Sequence, residues 1–141
     1  MSRCRPVASL LDKTVRGVTW VSQAKGASGT LFVALSEQMT GNLTAWPASA
    51  EGMSIEVIAA LGTGGNPRPS AAVDLHGRPC VAYIDHGVVK LATRVDTGSW
   101  TIEVVGPGTD WPSLAYDDAG GTQLAYLNGS LVYARGTGSP A

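Results

Sequence analysis

A hexapeptide that returns after 43 residues constrains this chain more than any other feature. Pro69-Ser70-Ala71-Ala72-Val73-Asp74 comes back as Pro112-Ser113-Leu114-Ala115-Tyr116-Asp117. The same spacing carries Gly77 to Gly120 and Val81-Ala82-Tyr83 to Leu124-Ala125-Tyr126. After one deletion in the next turn, Gly87 aligns with Gly129, Leu91 with Tyr133 and Ala92 with Ala134. A weaker copy lies upstream at a spacing of 48, where Ser22, Ala24, Gly29, Val33 and Ala34 stand for Ser70, Ala72, Gly77, Val81 and Ala82. Met53-Ser54-Ile55-Glu56-Val57-Ile58 matches Trp100-Thr101-Ile102-Glu103-Val104-Val105 at a spacing of 47. A fixed period of this size means one supersecondary unit per repeat, each burying its apolar face only by stacking on a neighbour.

Each copy divides into four short strands. In the middle copy strand A is Ser70–Asp74, B is Cys80–Asp85, C is Val88–Val95 and D is Trp100–Val105. The links Leu75–Pro79, His86-Gly87 and Asp96–Ser99 are turn-like. Strand A is rich in small residues, as an innermost strand crowded around an axis must be. Strand D alternates Ile102 and Val104 with Thr101 and Glu103, the pattern of an outer strand with one wet face. Helical periodicity is nowhere long enough to compete. Asp74 and Asp117 precede the A-to-B turns and read as turn caps.

Four-stranded units at this period are the signature of a β-propeller, an all-β fold in which each unit is one blade. The chain resembles bacterial propeller repeat proteins whose blades read Pro-Ser-x-Ala-x-Asp-x-x-Gly-x-Pro-x-Val-Ala-Tyr-x-Asp. Pro69 to Asp85 fits throughout; the last copy fits to Tyr126, with Thr122 in place of Pro and Asn128 in place of the final Asp. Asp96-Thr97-Gly98-Ser99-Trp100 is distantly similar to the Asp-box of sialidase-like propellers, but is one residue shorter from Asp to Trp and has no preceding Ser. The Asp-box is a turn that stabilises the fold, so the likeness implies no sialidase chemistry. The resemblance implies a fold and leaves function open, since propellers host enzymes, lectins and scaffolds alike.

The phase of the repeat matters as much as its period. The D slot lies 17 residues before the next strand A Ser, at Met53 before Ser70, and the same count back from Ser22 reaches Arg5. Residues 5–10 therefore read as a strand D, followed by blades at 19–58 and 69–105 and a partial blade at 112–135. The order D-ABCD-ABCD-ABC amounts to about three four-stranded blades in a single domain over residues 1–141. Known propellers close with roughly four to eight blades. The expectation is a homodimer of six blades, in which Arg5–Leu10 of each chain completes the last blade of the other. The rival expectation is a segment of a longer propeller.

Charge excludes several partners. Ten Lys and Arg against eleven Asp and Glu leave a net charge of −1, which argues against nucleic acid or an anionic membrane surface. No apolar run approaches the roughly 18 residues that span a bilayer, and Val7–Leu11 is too short and broken for a signal peptide; the sequence assigns no compartment. Cys4 and Cys80 form no disulfide framework or metal spacing, and Cys80 reads as a small buried hydrophobe. His76 and His86, the two histidines, fall on opposite faces of this topology. A His-based triad or metal site is therefore not expected, and no cofactor is implied. Gly62-Thr63-Gly64-Gly65 precedes no helix and is a loop rather than a phosphate cradle.

In a propeller the D-to-A and B-to-C connections share one face, where ligands gather around the axis. The D-to-A segments are 12–19, 59–68 and 106–110, and the residue two before each strand A Ser is Trp20, Arg68 and Trp111. Indole faces stack on sugar rings, and a guanidinium forks onto carboxylates or stacks; the competing reading packs these Trp between blades. On the same face the B-to-C turns carry Glu37, Asp85 and Asn128, as ligand contacts or as ordinary turn formers. A sialidase-like centre would need an arginine triad, yet the equivalents of Arg68 are Trp. A Glu37–Asp85 carboxylate pair has no fixed separation. The expectation is a non-catalytic, lectin-like carbohydrate-binding module using Trp20, Arg68, Trp111, Asp85 and Asn128. The alternatives are a protein-interaction scaffold with no small-molecule ligand and, third, a glycosidase-type hydrolase.

Overall fold

The structure, a computed structural model, describes residues 18–25, 31–37, 41–49, 52–53, 56–62 and 67–136. Arg5–Leu10 and Cys4 lie outside them. Every described element is a strand, and all the pairing is antiparallel. β1 (Val18–Lys25), β2 (Leu31–Glu37) and β3 (Asn42–Ser49) form the first sheet, with β4 (Gly52–Met53) and β5 (Glu56–Ala60) both pairing with β3. β6 (Ser70–Val73), β7 (Pro79–Asp85), β8 (Val88–Asp96) and β9 (Ser99–Pro107) form the second sheet in chain order. β10 (Asp110–Tyr116), β11 (Thr122–Leu127) and β12 (Leu131–Arg135) form the third. The strands of the middle copy match their expected spans within one or two residues. In the first copy the expected fourth strand is described at Gly52–Met53 and Glu56–Ala60, both of which pair with β3, Met53 and Glu56 in one register.

Repeat equivalence survives as register. Ser70 pairs with Ala82, Ser113 with Ala125 and Ser22 with Ala34. The Asp caps are equally regular. Asp74 Oδ1 accepts from the backbone N–H groups of His76 and Arg78, both at 2.9 Å. Asp117 Oδ1 accepts from those of Ala119 at 2.9 Å and Gly121 at 2.7 Å. Gly77 (φ 78°) and Gly120 (φ 85°) follow in the left-handed conformation that these turns need.

The second sheet is the middle layer, and β7 shows it. Pro79 to Ile84 are all buried, on both faces of the strand. Val81 and Tyr83 point into one core with Ala34, Leu43, Ala45, Ile58 and Ala92. Cys80, Ala82 and Ile84 point into the other with Val89, Leu91, Leu114, Leu124 and Tyr126. A strand covered on both sides must be apolar at every position, and Cys80-Val81-Ala82-Tyr83-Ile84 is such a run. Cys80 is fully buried, and that burial pushes its thiol pKa up, as suits a small core hydrophobe.

The two cores are copies of each other. Ala34, Leu43 and Ala45 of the first sheet face Val81, Tyr83 and Ala92 as Ala82, Val89 and Leu91 of the second face Leu124, Tyr126 and Ala134. First strands lie beside first strands, with β6 against β1 on one side and β10 on the other. A hydroxyl bridges each step. Ser22 Oγ accepts from Ala71 N–H at 2.9 Å, and Ser70 Oγ accepts from Leu114 N–H at 3.0 Å. Donors and acceptors both occupy equivalent positions, so one serine per repeat ties each sheet to the next.

Strand D departs from expectation. Ile102 and Val104 were to be the covered face of β9, yet they are 45% and 67% exposed. They pair with Ala92 and Lys90, on the side toward the first sheet.

Candidate functional site

The end of the molecule carrying the D-to-A and B-to-C connections is knit by backbone hydrogen bonds. Gly108 N–H donates to Gly87 O at 3.0 Å, Thr109 N–H to Leu127 O at 2.7 Å, and Ile84 N–H to Pro67 O at 2.8 Å. Gly41 sits so close to Gly62 that a Cβ on it would collide with the Gly62 carbonyl oxygen. Both kinds of connection thus share one end. The A-to-B turns with Asp74 and Asp117 are at the other, so His76 and His86 are at opposite ends.

Arg68 and Trp111 come together there through a repeated bulge. Asp110 pairs with Leu127 and Ser113 with Ala125, so β10 spends one more residue than β11 over that interval. Pro67 and Ser70 flank the same excess opposite Ile84 and Ala82. The extra residue bends the chain and re-aims a side chain. Trp111 (φ 57°) and Arg68 (φ 43°) both take the left-handed conformation, costing about 1–2 kcal/mol each for a residue with a Cβ. Neither position uses glycine, the residue that would remove the cost. In the first sheet the register shift falls earlier, between Val18 and Trp20, and Trp20 pairs with Ser36 in the regular register that follows; its side chain lies outside the described residues.

The Arg68 guanidinium carbon lies 4.6 Å from the centroid of the Trp111 ring. Arg68 Nη1 also pairs with Asp110 Oδ1 at 2.5 Å. The stack leaves the indole 51% exposed. An Asp fixing an Arg over an aromatic face yields a planar apolar surface beside an oriented cation. Trp111 was expected at the end of a loop; it lies inside β10, because only Gly108 and Thr109 separate β9 from β10. Asp110, the third member, has no counterpart in the repeat, where Pro67 holds its place, so equivalence between the copies does not mark it.

Asp85 and Asn128 occupy the same end in different ways. Asp85 Oδ2 accepts from Lys90 Nζ at 2.6 Å, and Oδ1 lies 2.7 Å from His86 Nδ1. The Lys90 hydrogen bond, reinforced by His86, holds the Asp85 carboxyl below its usual pKa. His86 (φ 48°) and Gly87 (φ 86°) make the two-residue hairpin that follows. Asn128 is an exposed turn residue whose backbone N–H donates to Ser130 O at 2.9 Å. Glu37 closes β2, with its side chain outside the described residues. Among the described residues no three His, Cys, Asp or Glu side chains gather as a metal site.

A second polar cluster, absent from sequence reasoning, locks the first sheet to the second. Glu56, almost buried, accepts from Arg94 Nε at 3.0 Å and Arg94 Nη2 at 2.7 Å, and from Trp100 Nε1 at 2.9 Å. The Arg94 hydrogen bonds hold the Glu56 carboxyl below its usual pKa against the opposing pull of burial. The sequence did carry a signal: Glu56 repeats as Glu103 and Met53 as Trp100. No protein-family model matches the chain, and no curated protein matches it.

Proposed function

We propose that the three sheets are blades of a β-propeller and that the chain is a non-catalytic carbohydrate-binding module at the end carrying Arg68 and Trp111. Three observations support the propeller: equivalent cores between successive sheets, first strands side by side, and the Ser22 and Ser70 bridges. One observation carries the binding reading. A strained bulge recurs at equivalent positions and is spent on Arg68 and a half-exposed Trp111 rather than on glycine. Backbone strain of this kind clusters where side chains must be aimed. An indole face takes the apolar face of a pyranose, and the Arg68–Asp110 pair offers donors and acceptors to its hydroxyls. Trp20, Asp85 and Asn128 would border the same axial face. Asp85, tied to Lys90 and held ionised, is an acceptor for hydroxyls rather than a general acid.

A glycan array probed with the wild type and Trp111→Ala tests this. The expected result is binding lost at least tenfold in the variant, and no turnover of chromogenic glycosides by either protein. Binding to nothing, or binding indifferent to Trp111→Ala, would reject the reading in favour of a scaffold.

A further inference from the structure

The two junctions between sheets are equivalent in their cores and unequal at their rims. At the first, Trp100 and Arg94 of the second sheet close over Glu56 of the first. At the second, Glu103 takes the place of Glu56: Ala45 pairs with Glu56 as Leu91 pairs with Glu103. There Gly136 follows Arg135 where Arg94 follows Thr93, and β12 has no fourth strand beside it among the described residues. The result is a wedge of about 700 Å³ lined by Thr93, Val95, Thr101, Glu103, Tyr116 and Gly136. Glu103 is exposed in it, and among the described residues no ion pair reaches it.

The outward face of the third sheet repeats the asymmetry. Ile84, Val89 and Leu91 are core in the second sheet, whereas their equivalents Leu127, Leu131 and Tyr133 are 36%, 73% and 58% exposed. Ser113, exposed on β10, is the equivalent of the bridging Ser22 and Ser70. The N–H equivalent to those of Ala71 and Leu114 is Gln23, exposed on β1 beside Val21, itself 61% exposed. The chain therefore carries both halves of its own repeated junction, an acceptor with an apolar face on the third sheet and a donor on the first.

Resting on the propeller reading above, we infer that a second copy of this chain occupies both vacancies: its first sheet stacks on the Leu127, Leu131 and Tyr133 face, with Gln23 N–H on Ser113 Oγ, and its residues 5–10 add to the β12 edge, carrying Arg5 to Glu103. The charge logic is specific. Arg5 stands in the repeat where Trp100 stands, 48 residues before Met53 as Met53 is 47 before Trp100. Trp100 is the residue whose ring N–H meets Glu56. A cation in that slot facing Glu103 combines the Arg94 and Trp100 roles in one side chain. Arg suits this, since its fork matches a carboxylate bidentately. Strand addition at β12 also removes an open edge. The arrangement is mutual, so each dimer contains two such junctions and two Arg5–Glu103 pairs.

The test is the mass of the 141-residue chain by analytical ultracentrifugation over a hundredfold concentration range, with far-ultraviolet circular dichroism on every variant. The wild type is expected at twice its 14.5 kDa. Glu103→Arg and Arg5→Glu are each expected to raise the dimer dissociation constant at least tenfold with the β spectrum kept. The Glu103→Arg/Arg5→Glu double variant should restore dimerisation, and Ser113→Ala should weaken it several-fold. A β-folded monomer at every concentration overturns the inference, leaving the propeller reading to be completed by other sheets. A dimer indifferent to both charge reversals also overturns it. A charge-rescued dimer whose small-angle scattering is elongated rather than disc-like supports the Arg5–Glu103 contact and overturns the propeller reading.

Discussion

The junction between the first and second sheets and the one between the second and third are built from the same repeat, and they differ where their outer strands meet. Both have an inner core of small and branched residues, Ala34, Leu43 and Ala45 matching Ala82, Val89 and Leu91. The first adds the Glu56–Arg94–Trp100 cluster; the second ends in an open wedge at Glu103. The first strands join successive sheets by burial and one serine bridge per step, at both junctions alike, whereas among the described residues the directed polar contact between outer strands is present at the first junction alone. Apolar side chains of the fourth strands still reach each core, Ile58 in the first and Val105 at the second, so the difference between the junctions lies in the polar lock.

The largest effect should come from breaking either core. Leu124→Ala removes a fully buried side chain from the second, and is expected to cost about 2–5 kcal/mol. Val81→Ala at the equivalent position of the first deletes less volume and should cost about 1–3 kcal/mol. Urea unfolding with both variants reads this directly. Equal losses would mean that the second junction relaxes into its wedge and absorbs the cavity.

Next is the polar lock. Glu56→Gln keeps the shape but leaves Arg94 with a neutral partner, and should destabilise by about 1–3 kcal/mol at neutral pH. The pH dependence follows from the depressed carboxyl. With the folded value below the unfolded one, the ionised form is favoured by folding. Its contribution is complete above the ordinary Glu value near 4.5 and fades as pH falls through the folded value. Wild type and Glu56→Gln should therefore converge in stability as pH falls through the folded value. A gap that persists in acid would show the glutamate acting by packing rather than by charge.

The inner architecture was legible from the sequence because repetition and strand periodicity both report burial. The Ser70 to Asp74 and Pro112 to Asp117 matches marked the first strands, and Cys80 read as a small buried hydrophobe, while the coverage of Cys80–Ile84 on both faces comes from the structure. The serine bridges were half visible. Ser22, Ser70 and Ser113 anchored the alignment, but an Oγ that reaches 49 residues along the chain to Ala71 N–H leaves no local pattern. The outer rim was illegible for a different reason. Alternation along strand D assigned Ile102 and Val104 to a covered face, yet what covers a strand is set by the neighbouring sheet, and both side chains are largely exposed. At the candidate site the aromatic and cationic members were found by equivalence. Asp110, which fixes Arg68, was missed because nothing equivalent repeats.

The serine bridges offer a smaller effect that separates the junctions. Ser70→Ala strips the acceptor from Leu114 N–H, whose residue is buried, and should cost about 1–2 kcal/mol in unfolding free energy. Ser113→Ala at the equivalent exposed position should leave the unfolding of the isolated chain within about 0.5 kcal/mol of wild type. Denaturant midpoints at micromolar dilution measure both. Equal losses would show that the hydroxyl acts within its own strand.

The smallest effect at neutral pH, and the one that reads the junctions separately, is at two phenols. Tyr83 lies in the first core, and its burial, with a lesser push from Asp85, raises its pKa from 10.0 to about 12. Tyr116 borders the second core and is also raised, chiefly by burial. A phenol held protonated by folding contributes stability that is complete below the unfolded value near 10 and is lost as pH climbs through the folded one. In absorbance titration, Tyr83→Phe should delete a phenolate step near pH 12, while Tyr116→Phe deletes one further into alkali. At pH 7 Tyr83→Phe should change stability by less than about 1 kcal/mol, since a phenyl ring fills the same space. Should the Tyr83 step move down toward 10 in the Glu56→Gln variant, the polar lock would be what keeps water out of the first core. An unmoved step would assign that exclusion to the inner strands, which both junctions share.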